Sequence, residues 1–207
     1  MRENSRPLLI GITGNIGSGK SSFCAYLEAL GYRLLYADRL AQSHLYDLKD
    51  LWVQRWGKRI LEGDQLNRAA IAEIVFDNPD ERQWLNSQLH PLVLQDFQHE
   101  VEHSKEQYLF FEIPLLFEAG LEQCFDYLVL VCATQEAVLQ RIMERDKSSE
   151  ADILKRLRTQ MPDSEKAARV DLIIDNSFSV DELYRHARYL AAKITGIPHK
   201  VVSPFNA

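Results

Sequence analysis

The chain has 207 residues, 46% hydrophobic and 26% charged, which suits one substantial α/β core and excludes a wholly disordered chain. Its 24 basic and 30 acidic side chains leave a net charge of −6, which counts against a broadly basic nucleic-acid binder but not against a local cationic cluster for a small polyanion. Cys24, Cys124 and Cys132 lack metal-ligand or disulfide-framework spacing, and no apolar stretch approaches the roughly 20 residues of a membrane span, so a cytoplasmic protein with reduced thiols is expected.

The first apolar run, Leu8–Thr13, reads as a buried strand, and the polar start before it, MRENSRP, lacks the pattern of a signal peptide. The strand leads into Gly14-Asn15-Ile16-Gly17-Ser18-Gly19-Lys20-Ser21, which fits GxxxxGK[ST] at every fixed position. Glycines let successive N–H groups turn inward toward phosphate oxygens, and the helix that follows adds the partial positive charge of its N-terminus. Lys20 then reaches the β- and γ-phosphates, and the Ser21 hydroxyl ligates Mg²⁺. The alternative is a Gly-rich turn that merely joins strand to helix. The loop is not a dinucleotide fingerprint, since Ser22 stands where the third glycine would be. The helix should run from about Gly19 to Leu30 and stop at Gly31.

A second strand, Arg33–Ala37, ends at Asp38. Strand carboxyl ends face the ligand crevice in open α/β sheets. Asp38 is therefore a candidate base for a substrate hydroxyl, or a water-bridged Mg²⁺ ligand; the plainer alternative is an N-cap for a helix over Arg39–Leu45. About 70 residues separate this strand from the next, far more than one crossover helix needs. That stretch reads as a helical insertion, broken at Gly57, at Glu62-Gly63-Asp64-Gln65 and at Asn78-Pro79-Asp80. Trp52, Trp56 and Trp84 are expected to pack its core rather than stack on a base. His90 is expected to bond a backbone group, with contact to an acceptor as the alternative. His99–His103 spells HExxH, which reads as a solvated helix end rather than a zinc site.

Strands follow at Tyr108–Ile113 and Tyr127–Ala133, and then a charged helical stretch, about Val138–Lys166. There Ser149 and Asp152 resemble a capping box, and Pro162 is expected to end the helical pattern. Arg141 and Arg145 lie four apart and share a helix face. Forked donors of this kind stabilise a migrating phosphoryl group, and a mobile segment carrying them would close as a lid. Solvated pairs with Glu144, Asp146 and Glu150 are the alternative, preferred for Lys155 and Arg158. A strand over Leu172–Asp175 and a helix over Asp181–Ile194 complete the pattern, with Cys24 a small core residue on the first helix.

The phosphate loop indicates nucleotide binding, not a reaction. A GTPase would carry DxxG and NKxD, and neither occurs. A small-molecule kinase and an NTP-binding regulatory protein remain. The large insertion, which suits an acceptor, favours the kinase.

Taken in order, several stretches resemble the dephospho-CoA kinase family, P-loop kinases of the nucleoside-monophosphate-kinase type. Gly11–Ser21 resembles the family's GLTGGIGSGKS, and Tyr36-Ala37-Asp38 its DAD. Leu66-Asn67-Arg68 through Phe76 resembles its LxRxxL…VF, and Leu89-His90-Pro91 its LHP. Pro114-Leu115-Leu116-Phe117-Glu118 is similar to its PLLFE, and Gln140-Arg141 with Arg145 to its QxxRxxxR. Arg156-Leu157-x-x-Gln160 and Asp171-x-x-Ile174-Asp175-Asn176 continue a likeness spanning about residues 8–178. Tyr36, Gln42 and Asn15 depart from the family's usual Asp, Arg and Gly; Asn15 is harmless if its backbone is not left-handed. Glu112 holds a strand position where the family has an acid or an apolar residue.

The resemblance implies a three-layer P-loop NTPase fold, with a five-stranded parallel sheet in the order 2-3-1-4-5. The core would comprise residues 7–38, 106–137 and 167–200, with a helical acceptor-binding insertion at about 39–105 and a lid at about 138–166. It implies ATP-dependent phosphorylation of the ribose 3′-hydroxyl of dephospho-CoA, the last step of coenzyme A synthesis, with Mg²⁺. Another small-molecule or nucleoside kinase is the alternative. Asp38 would be the catalytic carboxylate. Lys20, Arg141 and Arg145 would face the phosphates, with Gly14, Asn15, Ile16, Gly17, Ser18, Gly19, Ser21 and Ser22 around them and Asn176 near the adenine. Arg68, His90, Leu115 and Leu116 would lie near the acceptor. A monomer or small homo-oligomer is expected, with no nucleic-acid or membrane partner.

Overall fold

The computed structural model describes residues 6–205; Met1–Ser5 of the polar start lie outside the described residues. The elements run β1 (Leu8–Thr13), α1 (Lys20–Ala29), β2 (Arg33–Tyr36), α2 (Ala37–Asp47), α3 (Lys49–Trp56), β3 (Leu61–Glu62), β4 (Gln65–Leu66), α4 (Arg68–Asp77) and α5 (Pro79–His103). They continue with β5 (Tyr108–Glu112), β6 (Tyr127–Cys132), α6 (Gln135–Asp146), α7 (Glu150–Leu157), α8 (Asp163–Ala167), β7 (Leu172–Asp175) and α9 (Val180–Lys193). The chain folds as two compact units, residues 6–36 with 101–204, and residues 37–100 with Phe205.

The first unit holds a parallel sheet ordered β2-β5-β1-β6-β7. For the five expected strands this is the order 2-3-1-4-5. β1 is buried along its whole length, as its unbroken LLIGIT requires of a central strand covered on both faces. On one face, Leu8, Ile10 and Ile12 pack with Phe23, Cys24 and Leu27 of α1 and with Leu183, Ala187 and Leu190 of α9. The opposite face has Gly11, where an added Cβ would come within 2.9 Å of Leu116 and Leu128. That close approach is why a glycine sits mid-strand. It also corrects the expectation for Leu116, which is fully buried in the core and has no surface to offer an acceptor.

Asp126, wholly buried, ties the start of this unit to its end. It accepts a forked pair from Arg6 at 2.6 and 2.8 Å, and the N–H groups of Leu9 and Lys200 at 2.8 and 2.7 Å. Burial alone would raise its pKa, but these donors outweigh burial and hold the carboxyl below its usual range. None of the three cysteines is in a disulfide; Cys24 and Cys124 are buried and Cys132 is half-buried at the end of β6. Burial, with Asp163 and Asp175 nearby, pushes the Cys132 thiol up to about 11.

The second unit is centred on tryptophan. Trp52, Trp56 and Trp84 meet with ring centroids 5.5–5.8 Å apart, inside a cluster that includes Leu45, Ile60, Leu66 and Ile71. The indole N–H groups of Trp52 and Trp56 donate to the Leu45 carbonyl and to Glu81, so the rings are buried without stranding a donor. Three local expectations change. The turn at Gly63 closes a two-residue antiparallel ladder, Leu61↔Leu66 and Glu62↔Gln65, too short to leave a period in the sequence. Asn78 is the N-cap of α5, accepting from the N–H groups of Asp80 and Glu81, with Pro79 at the first helical position. The side chain of His90, exposed on α5, makes no hydrogen bond to a backbone group among the described residues. In the first unit Ser149 caps α7 as expected, but α7 ends at Leu157 and Pro162 opens α8 instead of ending a helix.

Candidate active site

The phosphate loop lies between β1 and α1. Gly14, Gly17 and Gly19 have φ of 146°, 78° and 94°, which side-chain-bearing residues rarely adopt. Each is also crowded. An added Cβ would fall 2.0 Å from the Val131 carbonyl at Gly14, 2.9 Å from Ile142 and Val138 at Gly17, and 2.0 Å from Asn176 Nδ2 at Gly19. Asn15 is not among the residues of positive φ, so its departure from glycine strains nothing.

The loop leaves the start of α1 open. No side chain caps that helix, and its first turn contains no acidic residue. Its end N–H groups and partial positive charge therefore face the loop without a side-chain cap among the described residues. Lys20, 7% exposed, donates to the Gly14 and Asn15 carbonyls at 2.7 and 3.2 Å. The loop's far end is held by Asn176, whose Nδ2 donates to the Ser18 carbonyl at 2.8 Å and whose N–H donates to Cys132 O. Arg141 Nη2 donates to the Asn176 carbonyl at 2.6 Å. Among the described residues three buried polar atoms here have no hydrogen-bond partner: Ser18 Oγ, Arg141 Nη1 and, on α8, Asp163 Oδ1. A hydroxyl and a guanidinium with donors to spare, beside an uncapped helix start, fit an anionic ligand with several oxygens.

A third set of contacts comes from residues 160–166. Gln160 Oε1 accepts the Ile16 N–H at 2.9 Å. Asn15 Nδ2 donates to the Met161 carbonyl, and Lys166 Nζ donates to Asn15 Oδ1 at 2.8 Å. Lys166 is also 3.3 Å from Glu118 Oε1, which accepts the Met161 N–H. Burial raises the pKa of Asp163, and the charges of Lys166 and Lys20 oppose that rise. The sequence places Lys166 only in the charged lid stretch and does not single out Asp163. The packing of the five-residue α8 is what brings both to the phosphate loop.

The other expected residues divide between the two units. Ser21 and Ser22 are exposed on the first turn of α1. Ser21 offers one hard oxygen, which suits Mg²⁺, a cation that keeps several waters and takes other ligands from phosphates. Among the described residues no three His, Cys, Asp or Glu side chains group as a metal site. Arg145 is paired with its neighbour Asp146 at 2.6 and 2.9 Å, its side chain 62% exposed. Leu115 is 39% exposed. Asp38, Arg68 and His90 belong to the second unit, all three exposed. Asp38 is the second residue of α2, inside the helix, not a cap before Arg39. Arg68 opens α4 behind an Asn67 cap.

A sequence model described as dephospho-CoA kinase matches residues 8–182. The chain is 41% identical over 179 residues to a dephospho-CoA kinase of Helicobacter pylori, covering 84% of this chain and 91% of the relative. It is 37% identical over 194 residues to one of Thermus thermophilus, covering 94% and 95%. Among solved structures, a Thermus thermophilus protein superposes with a TM-score of 0.81 at 35% identity, over 93% of this chain and all of that one. Dephospho-CoA kinase from Campylobacter jejuni gives 0.70 at 26% identity, over 91% and 97%. Shikimate kinase from Acinetobacter baumannii, at 17% identity and a TM-score of 0.52 over 92% and 94%, shares the fold.

Proposed function

The chain belongs to the dephospho-CoA kinase family, and we propose that it transfers the γ-phosphoryl group of ATP to the ribose 3′-hydroxyl of dephospho-CoA, giving CoA and ADP. One observation carries this reading: a phosphate loop with its lysine and an uncapped helix start lies within a match to the family that spans residues 8–182. In this proposal the loop N–H groups and Lys20 take the β- and γ-phosphate oxygens, Lys20 exchanging the Gly14 and Asn15 carbonyls for them. Arg141, fixed through Asn176, turns its unpaired Nη1 to the nucleotide. Arg145 joins it on exchanging Asp146 for a phosphate. Ser21 would hold Mg²⁺, which neutralises phosphate charge when bound.

Asp38 accepts the proton of the 3′-hydroxyl as that oxygen bonds to the γ-phosphorus. The bond from phosphorus to the bridging oxygen breaks, and ADP leaves with its electron pair. Arg68, His90 and Leu115 serve the acceptor. The family likeness supports these roles, and the position of Asp38 at the carboxyl end of β2 supports its own.

The test is ADP release from ATP in the presence of dephospho-CoA, AMP, adenosine or shikimate. Release with dephospho-CoA well above the other three is expected. Release no faster than in buffer would defeat the assignment and leave only nucleotide binding by the loop.

A further inference from the structure

Lys166 is the most enclosed cation described, 0% exposed in a helix of five residues. A buried ammonium is costly unless its donors are used. Here they are used on two acceptors, Asn15 Oδ1 at 2.8 Å and Glu118 Oε1 at 3.3 Å. The compact, three-donor head of lysine suits a tight site with separate acceptors better than a planar guanidinium would. The Asn15 end of the contact matters most. Its side chain is held at both ends, Oδ1 by Lys166 and Nδ2 by the Met161 carbonyl. Its own carbonyl accepts from Ser18 N–H and Lys20. The next residue, Ile16, gives its N–H to Gln160. Residues 15 and 16 lie at the other end of the loop from Ser18, whose carbonyl Asn176 holds.

We infer that Lys166 is a positioning residue for phosphoryl transfer: acting through the Asn15 side chain, it fixes the first turn of the phosphate loop so that the loop N–H groups and Lys20 meet the triphosphate in a set geometry. This rests on the ATP-dependent reading above. It extends that reading to a residue in α8 that touches no substrate. Small displacements of a positioned group cost large factors in rate. A loop braced at both ends, at Ser18 by Asn176 and at Asn15 by Lys166, would hold its donors in place before the nucleotide arrives.

The decisive variants are Asn15→Ala, Lys166→Met and the double. Alanine suits the backbone of Asn15, which has no positive φ, so Asn15→Ala removes the tether and leaves the Lys166–Glu118 pair. Affinity for a non-hydrolysable ATP analogue is read by calorimetry, and kcat and KM for each substrate by ADP release. Both single variants should lose about tenfold or more in analogue affinity and in kcat/KM for ATP. The KM for dephospho-CoA should stay within about twofold, and the double should be no worse than the worse single, because both remove one device. Losses of melting temperature with ATP affinity and kcat/KM within twofold of the parent would overturn the inference and leave Lys166 a structural residue. So would normal ATP affinity in Asn15→Ala, which decides alone if Lys166→Met does not fold. Should the parent bind the analogue but fail to phosphorylate dephospho-CoA, the assigned reaction falls, while the tether is still judged by analogue affinity.

Discussion

Gly19→Ala tests the architecture of the phosphate loop most directly. Gly19 has φ +94°, and an added Cβ would stand 2.0 Å from Asn176 Nδ2, the atom that donates to the Ser18 carbonyl at 2.8 Å. Holding alanine in that region costs about 1–2 kcal/mol. Driving Asn176 aside removes a hydrogen bond and strands a buried carbonyl, for about 1–3 kcal/mol. Together these give a loss of about 2–5 kcal/mol, or a fall in Tm of about 4–20 °C for a chain of this length. Urea unfolding of the parent, Gly19→Ala, Asn176→Ala and the double variant measures it. Asn176→Ala makes the same bond loss and removes the clash, so the double should be less destabilised than the sum by about 1–3 kcal/mol. Additivity within about 0.5 kcal/mol would refute the reasoning, because the two residues would then not share a contact.

Asp126→Asn should destabilise by about 2–4 kcal/mol, less than breaking a fully enclosed pair because Arg6 is partly in solvent. Since the folded carboxyl is held below its usual range, its contribution is complete above about pH 4 and lost as pH falls through the folded value. The parent's Tm should therefore drop more steeply between pH 5 and 3 than the variant's, and parallel profiles would count against it. Asp38→Asn should cut turnover about 10²-fold or more while nucleotide affinity, read by calorimetry, stays near the parent's; unchanged turnover would return Asp38 to a helix-start role. Arg141→Ala should lower kcat/KM for ATP about 10–10²-fold with little change in the KM for dephospho-CoA, and an equal rise in both KM values would contradict its assignment to the nucleotide.

The sheet was legible because parallel strands buried on both faces are unbroken apolar runs, and Leu8–Thr13 and Tyr127–Cys132 leave no other reading. The loop was legible because glycine spacing is a backbone requirement written directly into the chain. Leu116 was misread for a physical reason. A motif locates a residue on an element, but which of two adjacent leucines faces the core depends on Gly11 across the gap, a partner about a hundred positions away. Lys166 and Gln160 were out of reach in the same way, since their meaning lies in contacts to Asn15 and Ile16. Pro162 and Pro79 show the limit of punctuation: the same residue ends one helix pattern or starts the next, and flanking N–H partners decide which.

The placement of the three thiols makes the folded chain its own clock for opening. Only a thiolate attacks a disulfide reagent. A thiol at about 11, as for Cys132, is ionised in roughly one molecule in 10⁴ at neutral pH. Cys24, on α1, is shut against the sheet, and Cys124, its pKa also raised by burial, gives its S–H to the Pro204 carbonyl. Colour release from an aromatic disulfide would thus report each region as it parts: the α1–α9 face, the end of β6 and the C-terminal strap, at rates set by local unfolding. ATP, by bracing the phosphate loop against α1 and β6, should slow the first two signals and leave the third untouched.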